Sequence, residues 1–420
     1  MSSTAARARA ARPFTGRLHA LNSWLESPTT SYYLLVVVTS TLVIFGLVMV
    51  LSASAVESIT MSKSQSAFTI FRGQLTFATL GTIGLVVASR LSVSVWKRLA
   101  LPVLGVALVL QLLVAFVGTS VKGNQNWLRL GPISIQPSEL VKVGLVLFGA
   151  FILTRKKDRL SELGHVVIPY LIPGAALALG LVLVGGDLGT SIVLAAIIAA
   201  TLFTAGLPLR WFGAAGAAFL GVATMLIVTS PHRLSRFDVW LGRDTDPFGA
   251  ARQPMQGRFA LADGGWFGLG LGASREKWQW LAEPHNDFIF AIIGEELGLP
   301  GTIMVLALFG ALAYACYRIV VRSKDFFVRI ATSAIMAWLI VQALVNIGSV
   351  IGMLPVVGVP LPLVSSGGSS LITTMGALGI LMSFARSEPG CAERLAGRPS
   401  ILRRTAAVVA TPRRSLRGRR

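Results

Sequence analysis

The sequence predicts an all-α polytopic membrane protein: about ten transmembrane helices, with a large extracytoplasmic loop between the seventh and eighth. Three observations carry this prediction. Only 13% of the 420 residues are charged, against about a quarter in soluble domains. The mean hydropathy is +0.70. Apolar runs of membrane-spanning length recur along the chain. They are too long for barrel strands, so helices are the form that lipid permits.

The runs lie near 33–53, 74–89, 99–118, 138–154, 166–184, 188–206, 210–229, 301–320, 328–350 and 368–385. Ahead of the first stand Arg7, Arg9, Arg12 and Arg17, and after it Ala53-Ser54-Ala55. That is the outline of a secretory signal. The run from Tyr33 to Leu51 nevertheless exceeds the h-region of about 7–15 residues, so it reads as a retained span. Residues 1–32 and 387–420 read as basic tails, and 33–386 as the membrane domain, with 230–287 its large outer loop.

A formal net charge of +20 would suggest nucleic acid in a soluble protein. Here the basic residues follow the spans. With the N-terminus inside, the inner segments hold Arg90, Lys97 and Arg98, then Arg155 to Arg159, Arg210, Arg318 to Arg329 and the arginines after the last span. This alternation supports both termini in the cytoplasm and the large loop outside. No nucleic-acid partner is expected. The two cysteines, Cys316 and Cys391, form no pairing or metal motif.

Three outer segments are too long or too patterned to be plain connectors. In Thr119–Lys142, Pro137-Ser138-Glu139 opens a helix and puts Glu139 at its favourable N-terminal end. Glu139 and Lys142 share a face at i, i+3. They are either a local ion pair or an anion site in which Lys142 meets a group such as pyrophosphate. Asp187, in GGDLGT, is either a helix N-cap or a functional carboxylate at the membrane edge. Ser230–Asp287 interleaves Arg233, Arg236, Arg243, Arg252, Arg258, Arg275 and Lys277 with Phe237, Trp240, Phe248, Trp266, Trp278 and Trp280. On an outer membrane face that mixture suits an anionic, lipid-linked sugar substrate. The third segment, Gly352–Ser370, is rich in proline and glycine.

The segment Leu281–Gly298, LAEPHNDFIFAIIGEELG, closes the large loop. Asn286 is expected to cap a helix running to about Leu297, with Asp287 in its first turn. Asp287 is then either a helix-start residue or a carboxylate able to take a proton from a hydroxyl. Glu295 and Glu296 lie too far along the helix to pair with it. His285 and Glu283 flank it, and His-x-Asp alone is no metal signature.

The segments GPISIQPSELVK (131–142), GDLGTS (186–191), MQGRFALADGGWFGLGLGASREKW (255–278), EPHNDFIFAIIGEELGLPG (283–301) and NIGSVIGMLPVVGVPLPLVSSGGSS (346–370) resemble the SEDS polytopic proteins of shape, elongation, division and sporulation. The resemblance spans all ten predicted helices and is closest in wording to the division branch. It implies a peptidoglycan glycosyltransferase that polymerises lipid II on the outer face of the bacterial cytoplasmic membrane, enriched at the septum. It also implies a class B penicillin-binding transpeptidase and other divisome membrane proteins as partners.

On this resemblance the family's essential aspartate corresponds to Asp287, and the lysine after QPSE to Lys142. The substrate-binding residues expected with them are Glu139, Arg129, Asp187, Lys277, Glu283 and His285. Asn126 stands where relatives often carry a basic residue, so Arg129 or Lys122 is the nearest substitute. Asp287 would act as general base on the acceptor hydroxyl. Lys142 and loop arginines, or a divalent cation, would stabilise the leaving pyrophosphate; no motif calls for another cofactor. The competing readings are a lipid II flippase, an elongation-type SEDS polymerase and a non-catalytic scaffold for the transpeptidase.

Overall fold

The computed structural model describes residues 27–61, 66–121, 124–130, 133–160, 164 and 167–396. The expected basic tails therefore lie mostly outside the described residues. Helices α1 (Thr30–Met61), α2 (Thr69–Arg90) and α3 (Val93–Val117) are followed by three short strands, β1 (Thr119–Val121), β2 (Asn124–Leu130) and β3 (Ile133–Ile135). The strands pair antiparallel in the order β1-β2-β3. The chain continues through α4 (Pro137–Arg155), α5 (Ala176–Val184), α6 (Leu188–Ala205) and α7 (Leu209–Val228). The long segment 230–287 contributes α8 (Pro231–Trp240) and α9 (Arg252–Gly264). Last come α10 (Ile289–Arg322), α11 (Phe326–Val350), α12 (Gly368–Arg386) and the short α13 (Cys391–Ala396).

Among the described residues nine helices are long and apolar enough to cross a membrane: α1, α2, α3, α4, α6, α7, α10, α11 and α12. The chain is a multi-pass membrane protein. The run expected to span at 166–184 is different. Pro169 and Pro173 remove backbone donors, and Ile168 and Ile172 before them take extended angles, as residues before proline do. Only the nine residues Ala176–Val184 form regular helix. That is about 14 Å, half the hydrocarbon thickness of about 30 Å.

The interior of the bundle is α4, α11 and α12, most of whose residues are buried. α12 lies along α2, α3 against α4, and α11 against α6 and α4. At the other extreme, α7 buries no residue at all. Without a hydrophobic drive between helices in lipid, close packing and internal polar bonds hold such a bundle. Both occur here: Gln342 and Asn346, at 0% and 3% exposure inside α11, each hydrogen-bond out of their own helix.

α10 changes direction at Gly298, whose φ of 64° only glycine adopts easily. Backbone meets backbone there: a Cβ on Gly298 would lie 2.4 Å from the nitrogen of Gly268. The half-helix 289–297 is mostly buried and separate from the long span that begins at Leu299. The loop 264–281 is clamped to it. Leu269 and Gly270 donate to the carbonyls of Glu295 and Glu296 at 2.9 and 3.0 Å. Ser274 Oγ and the Arg275 amide donate to the Glu295 carboxylate, both at 2.6 Å. Lys277 pairs with Glu296 at 3.1 Å, and Ser52 of α1 donates to the same carboxylate.

Candidate active site

The helix ends on one side of the bundle surround a cavity of about 890 Å³. Asp187, Arg233, Arg236, Glu283 and Asp287 line it, so three acids and two arginines from distant stretches of sequence face one space. Asp287 is half-buried and precedes its helix. α10 starts at Ile289, with Phe288 at the cap position and no side-chain cap. The expectation that Asn286 caps the helix and that Asp287 sits in its first turn is therefore corrected. The backbone of 285–287 is held from outside instead, because its carbonyls are taken by other groups. Asn346 Nδ2 donates to the Asp287 carbonyl at 2.8 Å, Ser365 Oγ to that of Asn286 at 2.7 Å, and the Ser366 amide to that of His285 at 2.9 Å.

The Gly352–Gly367 loop supplies two of those donors and covers the aspartate. Gly358 has a φ of 74°, and a Cβ there would lie 3.6 Å from Asp287 Oδ2 and 4.0 Å from an Arg236 guanidinium nitrogen. A Cβ would fit at these distances, so it is the left-handed backbone that calls for glycine at 358. Among the described residues, the non-glycines with left-handed backbone are Gln279, Glu283 and Leu363. All three lie in the segments that carry or cover Asp287, which is where stored strain tends to gather.

Arg236 stands in the same corner. Its guanidinium donates to the Val356 carbonyl at 3.3 Å. Burial draws it below the ordinary arginine value, and the facing Asp287 carboxylate draws it back up. Arg233, one turn earlier, is anchored by the carbonyls of Gly186 and Leu226 at 2.9 and 3.0 Å. Neither arginine stood out in the sequence from the other basic residues of the loop. Their i, i+3 spacing just after Ser230-Pro231, a helix-start pair, was the available signal.

Asp187 is the N-cap of α6, accepting from the Thr190 amide at 2.8 Å, and it also faces the cavity. Of the two readings of this residue, the hydrogen bonds carry the helix cap. Gln136 reaches it at 3.0 Å. One turn beyond Gln136, Glu139 binds Lys142 at 2.9 Å and Thr373 at 3.0 Å. Lys142 is 1% exposed, donates to Gln342 Oε1 at 3.1 Å, and lies 4.7 Å from the centroid of Trp338.

Five of the expected residues therefore do not line the cavity. Lys142 and Glu139 are spent on each other beneath it. Lys277 is 6% exposed and bound to Glu296 and to the Gly272 carbonyl. His285 is buried, its Nδ1 3.1 Å from Glu57 of α1. Arg129, on β2, is exposed and lies outside the cavity lining. Among the described residues no group of three or more His, Cys, Asp or Glu side chains is set to hold a metal ion.

The family model for FtsW, RodA and SpoVE cell cycle proteins matches residues 32–389. The chain belongs to the FtsW/RodA/SpoVE family. Its FtsW/RodA/SpoVE relatives include a probable peptidoglycan glycosyltransferase FtsW of Mycobacterium tuberculosis, 41% identical over 385 residues, 91% of this chain and 73% of that one. Stage V sporulation protein E of Bacillus subtilis is 34% identical over 361 residues, 85% and 98% of the two chains. Among solved structures, a chain of a peptidoglycan synthase complex coordinating polymerization and crosslinking superposes with a TM-score of 0.68 at 27% identity, covering 85% of this chain and 98% of that one. The rod shape determining protein RodA of Thermus thermophilus gives 0.62 at 26%, covering 84% and 96%.

Proposed function

We propose that this protein polymerises lipid II into glycan strands on the outer face of the cytoplasmic membrane during septal wall synthesis, with Asp287 as the catalytic base. It is a peptidoglycan glycosyltransferase. One observation carries the site assignment: Asp287 and Arg236 face each other in a cavity at one end of the spans.

The acceptor's 4-hydroxyl loses its proton to the Asp287 carboxylate as its oxygen attacks C1 of the donor sugar. The C1–oxygen bond to undecaprenyl pyrophosphate breaks, and the electron pair leaves with the pyrophosphate. Such a leaving group needs charge stabilisation more than a proton. Arg233 and Arg236, the two arginines of the lining, are suited to supply it. Among the described residues no metal-ligand set forms, and no step is assigned to a cation. Lys142, Glu139 and Gln136 take a positioning role, holding Asp187 and the cavity floor.

The 41% identity to a probable FtsW supports the division branch and polymerisation over flipping. A class B penicillin-binding transpeptidase is the proposed partner, supported by the relative solved within a synthase complex. Other divisome membrane proteins, cytoplasmic termini and septal enrichment belong to the same reading. The test is polymerisation of labelled lipid II by the purified protein with its transpeptidase. Asp287→Asn should fold, insert and bind the partner while losing about 10²–10⁴-fold in rate. Retained polymerisation by a folded Asp287→Asn protein would remove the assignment.

A further inference from the structure

Beside the large cavity lies a second one of about 390 Å³. His232, Arg236, Gln253, Ala282 and Val356 line both and form the wall between them. The two linings differ in kind. The large cavity carries three carboxylates, and the small one none. The polar side chains of the small cavity include the neutral Ser235, Gln253 and Gln279, and its aromatics are Phe248 and Trp280. Its arginines are engaged: Arg252 donates to the carbonyls of Gln279 and Trp280 at 2.7 and 3.2 Å, and Arg236 faces Asp287.

The two cavities also differ in depth. The large one reaches Leu188, Ile227 and Ser370, which belong to spanning helices. Every residue lining the small one lies outside the spans. Gln279 is left-handed at φ 70° and Trp280 is 56% exposed, yet the segment is fastened by Arg252 and by Gln253, which donates to the Ala282 carbonyl at 2.9 Å. A strained, fastened segment that presents an aromatic face to open space is prepared for a ligand.

We propose that the small cavity is the saccharide subsite. It takes the N-acetylated amino sugars of the glycan against Trp280, with the amides of Gln253 and Gln279 beside them. The large cavity takes the pyrophosphate and the reacting carbon. A lipid-linked sugar runs outward in that order, from lipid through pyrophosphate to saccharide, and the two cavities follow it. This inference rests on the polymerase reading above.

The experiment measures binding of a lipid-free tetrasaccharide of alternating N-acetylglucosamine and N-acetylmuramic acid to the full-length protein in nanodiscs. An Asp287→Asn background prevents turnover, and maltotetraose is the control. Trp280→Ala should weaken tetrasaccharide binding about tenfold, and Trp280→Tyr should restore most of it. The Trp280 side chain is largely exposed and Arg252 holds its backbone, so the variants should keep the parent's thermal stability. Binding indifferent to Trp280, or equal for maltotetraose, overturns the subsite. If lipid II is not polymerised yet the tetrasaccharide binds through Trp280, the subsite stands and the polymerase reading falls. If polymerisation proceeds and binding ignores Trp280, the reverse holds.

Discussion

The side-chain amide of Asn346, buried in α11, donates to the main-chain carbonyl of Asp287 at 2.8 Å. The same nitrogen donates to the Val359 carbonyl, also at 2.8 Å. One side chain therefore joins the segment carrying Asp287, the proposed base, to the loop covering it. Asn346→Ala leaves two carbonyls without this donor, at a cost of about 1–3 kcal/mol. We expect polymerisation to fall more steeply than stability, because the carboxylate loses its register. Parallel measurement of rate and thermal unfolding checks this; equal, small losses would reduce Asn346 to a packing role.

Arg236 should affect the pH profile. Arg236→Gln removes the positive charge facing Asp287, and a nearby opposite charge favours an ionised carboxylate. The acidic limb of the rate–pH profile should therefore move to higher pH, with a lower rate at the plateau. A profile of unchanged shape would mean that Arg236 serves the leaving group alone.

Lys142 and Glu139 form a buried pair, at 1% and 3% exposure. Removing one partner of such a pair strands the other, at about 3–5 kcal/mol. Lys142→Met should thus be strongly destabilising, and Lys142→Met with Glu139→Gln much less so. Thermal unfolding of the two single variants and the double variant gives the coupling directly. Additive losses would show that the charges do not depend on each other.

Glu276 gives the clamp on loop 264–281 a pH dependence. Burial, then the Glu295 and Asp263 carboxylates, push it from 4.5 up to about 7. The folded state thus binds this proton more tightly than the unfolded state. Its contribution is fully present below about pH 4.5 and lost as pH rises through about 7. Amides of 270–281 should exchange faster at pH 8 than at pH 6 after correction for intrinsic rates. Glu276→Gln should remove that difference.

The spans were legible because hydropathy is a sum over many residues. The break at Gly298 was legible because Gly298, Pro300 and Gly301 stand together. The broken helix at 167–175 was obscured, since its isoleucines and leucines keep the run apolar while two prolines interrupt it. Asp287 and Asp187 could be picked out as carboxylates at span edges. What hydropathy and motif spacing could not show was where charges are spent. Lys277 looks like a free cation in sequence, and its partner Glu296 lies 19 residues away; for Lys142 the pairing with Glu139 was one of two legible readings, while its bond to Gln342, 200 residues on, was not. The strands β1–β3 are short and irregular in pattern, and no periodicity announces them.

Gln342 has a further consequence, for how relatives of this chain can diverge. Its oxygen accepts from Lys142 and from Trp338 at 2.8 Å, and its nitrogen donates to the Pro360 carbonyl at 2.9 Å. Glutamate here would leave the proline carbonyl with no donor, and leucine would abandon all three partners. Position 342 therefore cannot drift alone. Across homologous sequences positions 142, 338 and 342 should be inherited as a block, and a lineage that changes one should carry compensating changes at the other two.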